Sequence, residues 1–301
     1  MFEKLFKGGG LSLDRLRVLC EVAEAGSIAT AAKGNPVRQS QYSRQLKELE
    51  DFFEVELTRR HGKGLVLTQA GRELVEQSRA SLKGLEDFHL RWINQPLIYS
   101  IGAGESLLEW LLLPSLASVD TSTPGASFKL CNLRTAKIVG GLQDLSLDFG
   151  LVRREAVTKS LTAHPLGSIE YAVYCPRELV TNGSKPDLLS VLQSVPLAIL
   201  GSDGEFRRDF GAWVDKNHLH IKVGLECDSF PQACRAVRTK RFAAVLPTIA
   251  SCDLPAVDFV KFDLPLEKGT RGICLAWNPR TLRLRTSASM VADFLGKVLK
   301  F

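Results

Sequence analysis

No stretch of this 301-residue chain is apolar for long enough to cross a bilayer; the richest, Leu107 to Leu116, is broken by Glu109 and Pro114. The N-terminus, MFEKLFKGGG, lacks a secretory apolar core and a cleavage signal. These absences predict a cytoplasmic protein without a membrane partner. The seven cysteines are scattered, with no CxxC pair and no Cys/His cluster, which argues against zinc and against a disulfide framework. Cys227 and Cys234 are the one close pair and read as small buried hydrophobes. The histidines, His61, His89, His164, His218 and His220, have no nucleophile or carboxylate pattern around them, so no catalytic centre and no cofactor site is legible. A net charge of +6 is modest and does not by itself demand a nucleic-acid partner.

What is present is concentrated first between Gly26 and Phe53. Ile28, Ala31 and Ala32 have one-face helical spacing, with Ser27 ahead of them as an N-cap. Gly34-Asn35-Pro36 interrupts that helix. A second run follows, with Tyr42, Leu46, Leu49 and Phe53 on one stripe and Gln39, Ser40, Ser43, Arg44 and Lys47 on the other. Two short helices with a tight turn, the second polar and basic on its free face, describe a helix-turn-helix.

The series Ala23-Glu24-Ala25-Gly26-Ser27, Ala31-Ala32, Gln39-Ser40, Ser43-Arg44-Gln45, Leu49-Glu50 and Leu67-Thr68-Gln69-Ala70-Gly71 resembles the winged helix-turn-helix of LysR-type transcriptional regulators. The resemblance implies double-stranded DNA as a partner. It departs at Asn35, where the family usually has an apolar residue, and at Arg38, where it has a small hydroxyl. An Asn cap followed by Pro predicts a recognition helix that begins about a turn early and adds Arg38 to the DNA-facing set. Val55-Glu56-Leu57 and Leu65-Val66-Leu67 alternate like paired strands of a wing, with Arg59, Arg60 and Lys63 placed to meet phosphates or a groove edge.

Thr68 caps the next expected helix, which runs to about Trp92 with a stripe of Leu74, Ser78, Leu82, Leu85, Phe88 and Trp92. The stripe either packs within the chain or, as the resemblance implies, forms an antiparallel helix pair between subunits through Leu74, Leu82, Leu85 and Phe88. The assembly implied is a homodimer or tetramer. After Asn94-Gln95-Pro96 the pattern becomes short apolar strands alternating with helices, which predicts parallel sheet covered on both faces. The resemblance implies a two-lobed α/β effector-binding domain similar to periplasmic binding proteins. The expected organisation is a flexible tail at 1–11, a winged helix-turn-helix at 12–67, a linker and dimerisation helix at 68–94, and an effector-binding domain at 95–301. Lobe I would comprise 95–167 and 268–301, and lobe II 168–267.

In open α/β lobes a ligand sits beyond the carboxyl ends of strands, against helix N-termini. Ser106 and Thr135 stand at two such ends and read as hydroxyl caps, with Arg134 adding charge and Val152 closing the third strand beside Arg153. Ser202 and Phe230 occupy equivalent ends in the second lobe. These hydroxyls serve a small, organic, anionic effector or are helix caps only. An enzyme or a solute receptor on the same two-lobed scaffold is the alternative; neither gives the helix-turn-helix a purpose.

Overall fold

Polar side chains start the helices of the N-terminal unit in the computed structural model, which describes residues 3–6, 9–61, 64–117, 125–180, 187–201, 204–266 and 269–299. After a single turn, α1 (Glu3–Phe6), Ser12 accepts from the Arg15 N–H to begin α2 (Leu13–Ala25), which Gly26 ends at φ 69°. Ser27 begins α3 (Ile28–Ala31). The Asn35 carboxamide oxygen accepts from the N–H groups of Val37 and Arg38, and with Pro36 in the first turn it starts α4 (Pro36–Phe53). The early start expected from Asn-Pro is therefore present. Val18, Leu19, Val22, Tyr42, Leu46 and Leu49 form the small core between α2 and α4.

The wing lies later than expected. Strands β1 (Thr58–His61) and β2 (Gly64–Leu67) pair antiparallel from Thr58↔Leu67 to His61↔Gly64. Val55–Leu57 is not a strand: Glu54, at φ 54°, ends α4, and Leu57 turns into the core. The Glu50 carboxylate takes the Leu57 and Thr58 N–H groups at 2.9 and 3.1 Å, so they are satisfied without a ladder. Helix α5 (Gln69–Trp92) then starts on the Thr68 hydroxyl, which accepts from Gly71 N–H at 3.0 Å. Here glycine is obligatory, because a Cβ at position 71 would lie 2.0 Å from the Leu57 carbonyl oxygen.

Two five-stranded sheets follow. The first has the order β4-β3-β5-β12-β6, with β3 (Leu97–Ala103), β4 (Ala126–Asn132), β5 (Phe149–Arg153), β6 (Thr162–Ile169) and β12 (Arg271–Trp277). The second has the order β11-β7-β10-β8-β9, with β7 (Tyr171–Pro176), β8 (Leu197–Leu200), β9 (Val223–Cys227), β10 (Ala243–Pro247) and β11 (Phe259–Asp263). Neither sheet is wholly parallel. β3 pairs in parallel with β4 and β5, whereas β12 runs antiparallel to both β5 and β6, and β7 antiparallel to β10 and β11. The chain leaves the first lobe along β6 and returns along β12, so a returning strand enters from the end where the others finish. Helices α6 (Glu105–Leu107), α7 (Leu113–Ala117), α8 (Thr135–Gln143), α9 (Leu188–Ser194), α10 (Glu205–Lys216), α11 (Phe230–Arg238), α12 (Pro279–Leu284) and α13 (Ala288–Val298) cover the sheets. A π-helical turn, Leu108–Leu112, joins α6 to α7. No helix among the described residues is long and apolar enough to cross a membrane.

Helix α5 lies on the first lobe through charge. Glu76, Arg79, Lys83 and Asp87, spaced three and four residues apart, share one face. Glu76 meets Arg280 at 2.6 Å, Arg79 meets Asp144 at 2.7 Å, and Lys83 meets Asp148 at 2.7 Å. Asp87 takes Arg285 through Nε at 2.8 Å and Nη2 at 2.5 Å. The side chains of Asp148, Arg285 and Asp87 are only 3%, 4% and 7% exposed. Asp148 is also held by the N–H and hydroxyl of Ser100, both at 2.8 Å, and Arg285 lies 4.0 Å above the Tyr99 ring. Arg285 Nη1 stands 3.1 Å from Asp148 without hydrogen-bond geometry, an electrostatic contact only.

Burial acts to raise the Asp148 pKa, but Lys83 and Arg285 outweigh it and hold the carboxyl below its ordinary value. Its contribution to stability is complete above the unfolded-state pKa and lost as pH falls through the folded-state value. Urea melts between pH 7 and pH 3 should show acid destabilisation that Asp148→Asn diminishes. Asp87→Ala, which strands Arg285, should cost roughly 3–5 kcal/mol in the same assay. Gly71→Ala should cost about 1–3 kcal/mol through overpacking against Leu57.

Candidate functional site

Two regions bring the expected site residues together. The first is the free face of α4, which Tyr42, Leu46 and Leu49 hold against α2 by burying the opposite stripe. Tyr42 donates to Glu21 at 2.6 Å, a bond that pushes the phenol pKa up and fixes the helix in rotation. Arg38, Ser40, Ser43, Arg44 and Lys47 are exposed, and Gln39 is half-buried. The charge along this face is uneven. Arg44 lies 3.6 Å from Glu48 and Lys47 lies 3.0 Å from Asp51, whereas Arg38 has no acidic partner among the described residues. Bare positive charge is therefore greatest at the helix N-terminus, where backbone N–H groups add to it.

The wing adds Arg59 and Arg60, both exposed. In the antiparallel register Arg59 shares a side with Val66 and Arg60 with Leu65, so the two side chains diverge. Arg59 also reaches Glu56 at 3.3 Å. Lys63 lies outside the described residues.

On α5, the face opposite the ion pairs carries the apolar stripe. Leu85, Phe88 and Trp92 are exposed, Leu82 is half-buried, and the Phe88 and Trp92 rings are 6.0 Å apart. Leu74 sits elsewhere: near the start of the helix, it packs on the N-terminal core. Ser78 is buried and turns back to the Leu74 carbonyl. The charged face of α5 has no sequence signal of its own, because the spacing of Glu76, Arg79, Lys83 and Asp87 does not say what they meet.

The second region is a cleft of about 800 Å³ between the two sheets. Ser106, Arg134, Thr135 and Phe230 all line it. Ser106 and Thr135 are not caps, however. The N-cap positions are Gly104 and Arg134, neither of which makes a side-chain cap, so the first N–H groups of both segments have no acceptor on a cap side chain. Val152 is absent from it. β5 is flanked on both sides in its sheet, and Val152 is buried with Ile138, Leu142, Leu147 and Ala276; only Arg153, at the strand end, reaches the cleft. Ser202 lies outside the described residues, although Gly201 next to it lines the same wall.

Four lining residues that sequence reasoning did not single out are Tyr171, Glu205, Phe206 and Arg271. Arg153 pairs with Glu205, and Arg271 reaches Glu205 at 3.0 Å and Asp209 at 2.7 Å, so these two of the three first-lobe arginines in the cleft are engaged by α10 of the second lobe. Arg134, on the same wall, has no acidic partner among the described residues. Tyr171, Phe206 and Phe230 form an aromatic group with ring centroids 4.4, 5.1 and 5.7 Å apart.

Two family models match the chain in order. The model of the bacterial regulatory helix-turn-helix protein, lysR family, matches residues 13–72, and the LysR substrate binding domain matches residues 99–299. The transcriptional regulator TdcA of Escherichia coli K12 is 20% identical over 284 residues, covering 92% of this chain and 90% of TdcA. A probable hydrogen peroxide-inducible genes activator of Mycobacterium xenopi is 27% identical over 169 residues, covering 55% of this chain and 89% of the relative. Among solved structures, a full-length OxyR variant from Pseudomonas aeruginosa has the same fold with a TM-score of 0.62 at 17% identity, over 97% of this chain and 95% of that one. Full-length CbnR in complex with its target DNA gives 0.55 at 19% identity, over 96% and 99%. With a DNA-binding module and a substrate-binding module matched in order along one chain, the protein belongs to the LysR family of transcriptional regulators.

Proposed function

We propose that this regulator reads DNA through the free face of α4 and the wing, as a dimer or a dimer of dimers built on the open stripe of α5. It acts in the cytoplasm and responds to a small organic anion held between its lobes. In this reading residues 12–67 bind DNA, 68–94 link and pair subunits, and 95–301 bind the effector. The observation that carries the effector assignment is Arg134, which has no acidic partner among the described residues and lies beside Ser106 and Thr135, where two segments begin without a side-chain cap. The bare N-terminal turn of α4 supports the DNA assignment, as does the solved CbnR complex with its target DNA. For assembly, the support is the uncovered Leu85, Phe88 and Trp92.

A peroxide response, suggested by the name of the M. xenopi relative, has no support from the thiols of Cys20, Cys175 and Cys234. Burial pushes Cys175 and Cys234 up to about 12 and Cys20 up to about 11, whereas the thiolate is the reactive form.

Gln39→Ala should cost about 1–3 kcal/mol on the operator and little on random DNA if Gln39 reads a base. Arg38→Ala should weaken binding to both and flatten the salt dependence by about one phosphate contact, in fluorescence anisotropy at several salt concentrations. Equal operator affinity in both variants would place the interface elsewhere. In sedimentation, Leu85→Lys should shift the protein to monomer; an unchanged dimer would mean that another surface joins the subunits. Thr135→Val should weaken binding of an effector found by ligand screening by about 1–2 kcal/mol in calorimetry, with folded stability measured alongside.

A further inference from the structure

The two arginines at the centre of the cleft already hold a carboxylate, and it belongs to the protein. Arg153 ends β5 and Arg271 begins β12, both in the first sheet; Glu205 opens α10 in the second lobe and lies against both guanidinium groups. Asp209, one turn further along α10, takes the other end of Arg271 at 2.7 Å. Every one of these contacts crosses the gap between the lobes.

The partners are unequal. Arg271 is 11% exposed, and its Nε–H is buried with no acceptor among the described residues, whereas Glu205 remains 44% exposed. A carboxylate that is almost half solvated gains little from its ion pair and can exchange. A nearly desolvated guanidinium with an idle donor favours a carboxylate that satisfies more of its fork. Beside it, the Arg271 guanidinium lies 6.0 Å from the Tyr171 ring centroid, and Phe206 follows Glu205 directly in sequence. Whatever replaces Glu205 on the arginines therefore meets the flat apolar wall of Tyr171, Phe206 and Phe230.

We propose that Glu205 is a tethered competitor for the effector site, and that the effector is a carboxylate with a planar, unsaturated body that displaces Glu205 from Arg153 and Arg271. This rests on the reading that an organic anion binds between the lobes. Displacement breaks both cross-cleft contacts of Glu205, leaves the Arg271–Asp209 pair, and substitutes a bridge through the ligand. Because Phe206 sits on the same first turn of α10 as Glu205, the aromatic wall shifts with the exchange. The resident carboxylate sets the threshold: only a ligand whose carboxylate and ring act together outcompetes a group whose local concentration is fixed by the chain.

The test uses the full-length protein, with benzoate as the probe and acetate, cinnamate and neutral benzamide beside it, followed by thermal shift and calorimetry. Benzoate and cinnamate should raise the melting temperature, and benzamide and acetate should not. In Glu205→Gln the benzoate dissociation constant should fall roughly threefold to tenfold, because the competitor no longer occupies the arginines. Glu205→Ala provides the same measurement if the glutamine variant folds poorly. Equal or weaker benzoate binding in a folded Glu205 variant overturns the tethered-competitor proposal while leaving an anion site in the cleft. Binding of benzamide as tight as that of benzoate overturns the carboxylate class. No response to any carboxylate in wild type or variant overturns both this proposal and the anionic-effector reading.

Discussion

Four charges that meet at the seam between α5 and the first lobe organise the rest of the molecule. Lys83, Asp148, Arg285 and Asp87 are drawn from three distant parts of the chain, and the last three are almost wholly withdrawn from water. Burying a charge is costly unless it is paired and hydrogen-bonded, so this seam tolerates little slippage. A hydrophobic seam would accept several rotations of α5 at similar energy; a bidentate Asp87–Arg285 pair and a lysine set on Asp148 accept one. That choice determines which face of α5 is left outward. Its apolar stripe is open because its charged stripe is occupied.

The same logic orders the N-terminal unit on a smaller scale. Glu50 spends its carboxylate on the backbone of Leu57 and Thr58, and Gly71 lets α5 start hard against the Leu57 carbonyl. The wing, α4 and α5 thus converge on Leu57, which is fully buried. The orientation of α4 is fixed by that convergence together with the Tyr42–Glu21 bond.

Much of this was legible in the sequence, for a physical reason. Local signals fixed local structure: Ser27, Asn35-Pro36 and Thr68 mark helix starts, and the 3.6-residue periodicities of α4 and α5 identify their faces. The misplaced wing strand shows the limit, since alternation at Val55–Leu57 is also what a chain dipping once into a core looks like. Val152 was misjudged because strand ends were located only to within a residue, and one residue separates the buried core from the cleft. Arg271, Glu205 and Tyr171 carried no local mark at all. They meet because β12 returns beside β5 and α10 crosses opposite it, a tertiary fact that spacing cannot express. The charged face of α5 was invisible for a related reason: a solvated ion and a buried one are the same letter until the partner's position is known.

The seam also assigns mechanical roles to the two lobes. Ion pairs fasten α5 to the first lobe from Glu76 to Asp87, about 16 Å of its length at 1.5 Å per residue. Among the described residues the second lobe makes no ion pair with α5. Apart from its contacts across the cleft and the chain crossings at Glu170 and between β11 and β12, it is joined to the first by Trp110, which is buried in the second-lobe core and donates to Asp253 at 2.9 Å. In the reading proposed above, the first lobe and α5 would act as a stator, with Trp110 as the bearing on which the second lobe sits. A ligand that shifts the second lobe in that reading would work against this bearing while the ion pairs hold α5 to the first lobe, so the outer surface of the second lobe, not α5, would report occupancy.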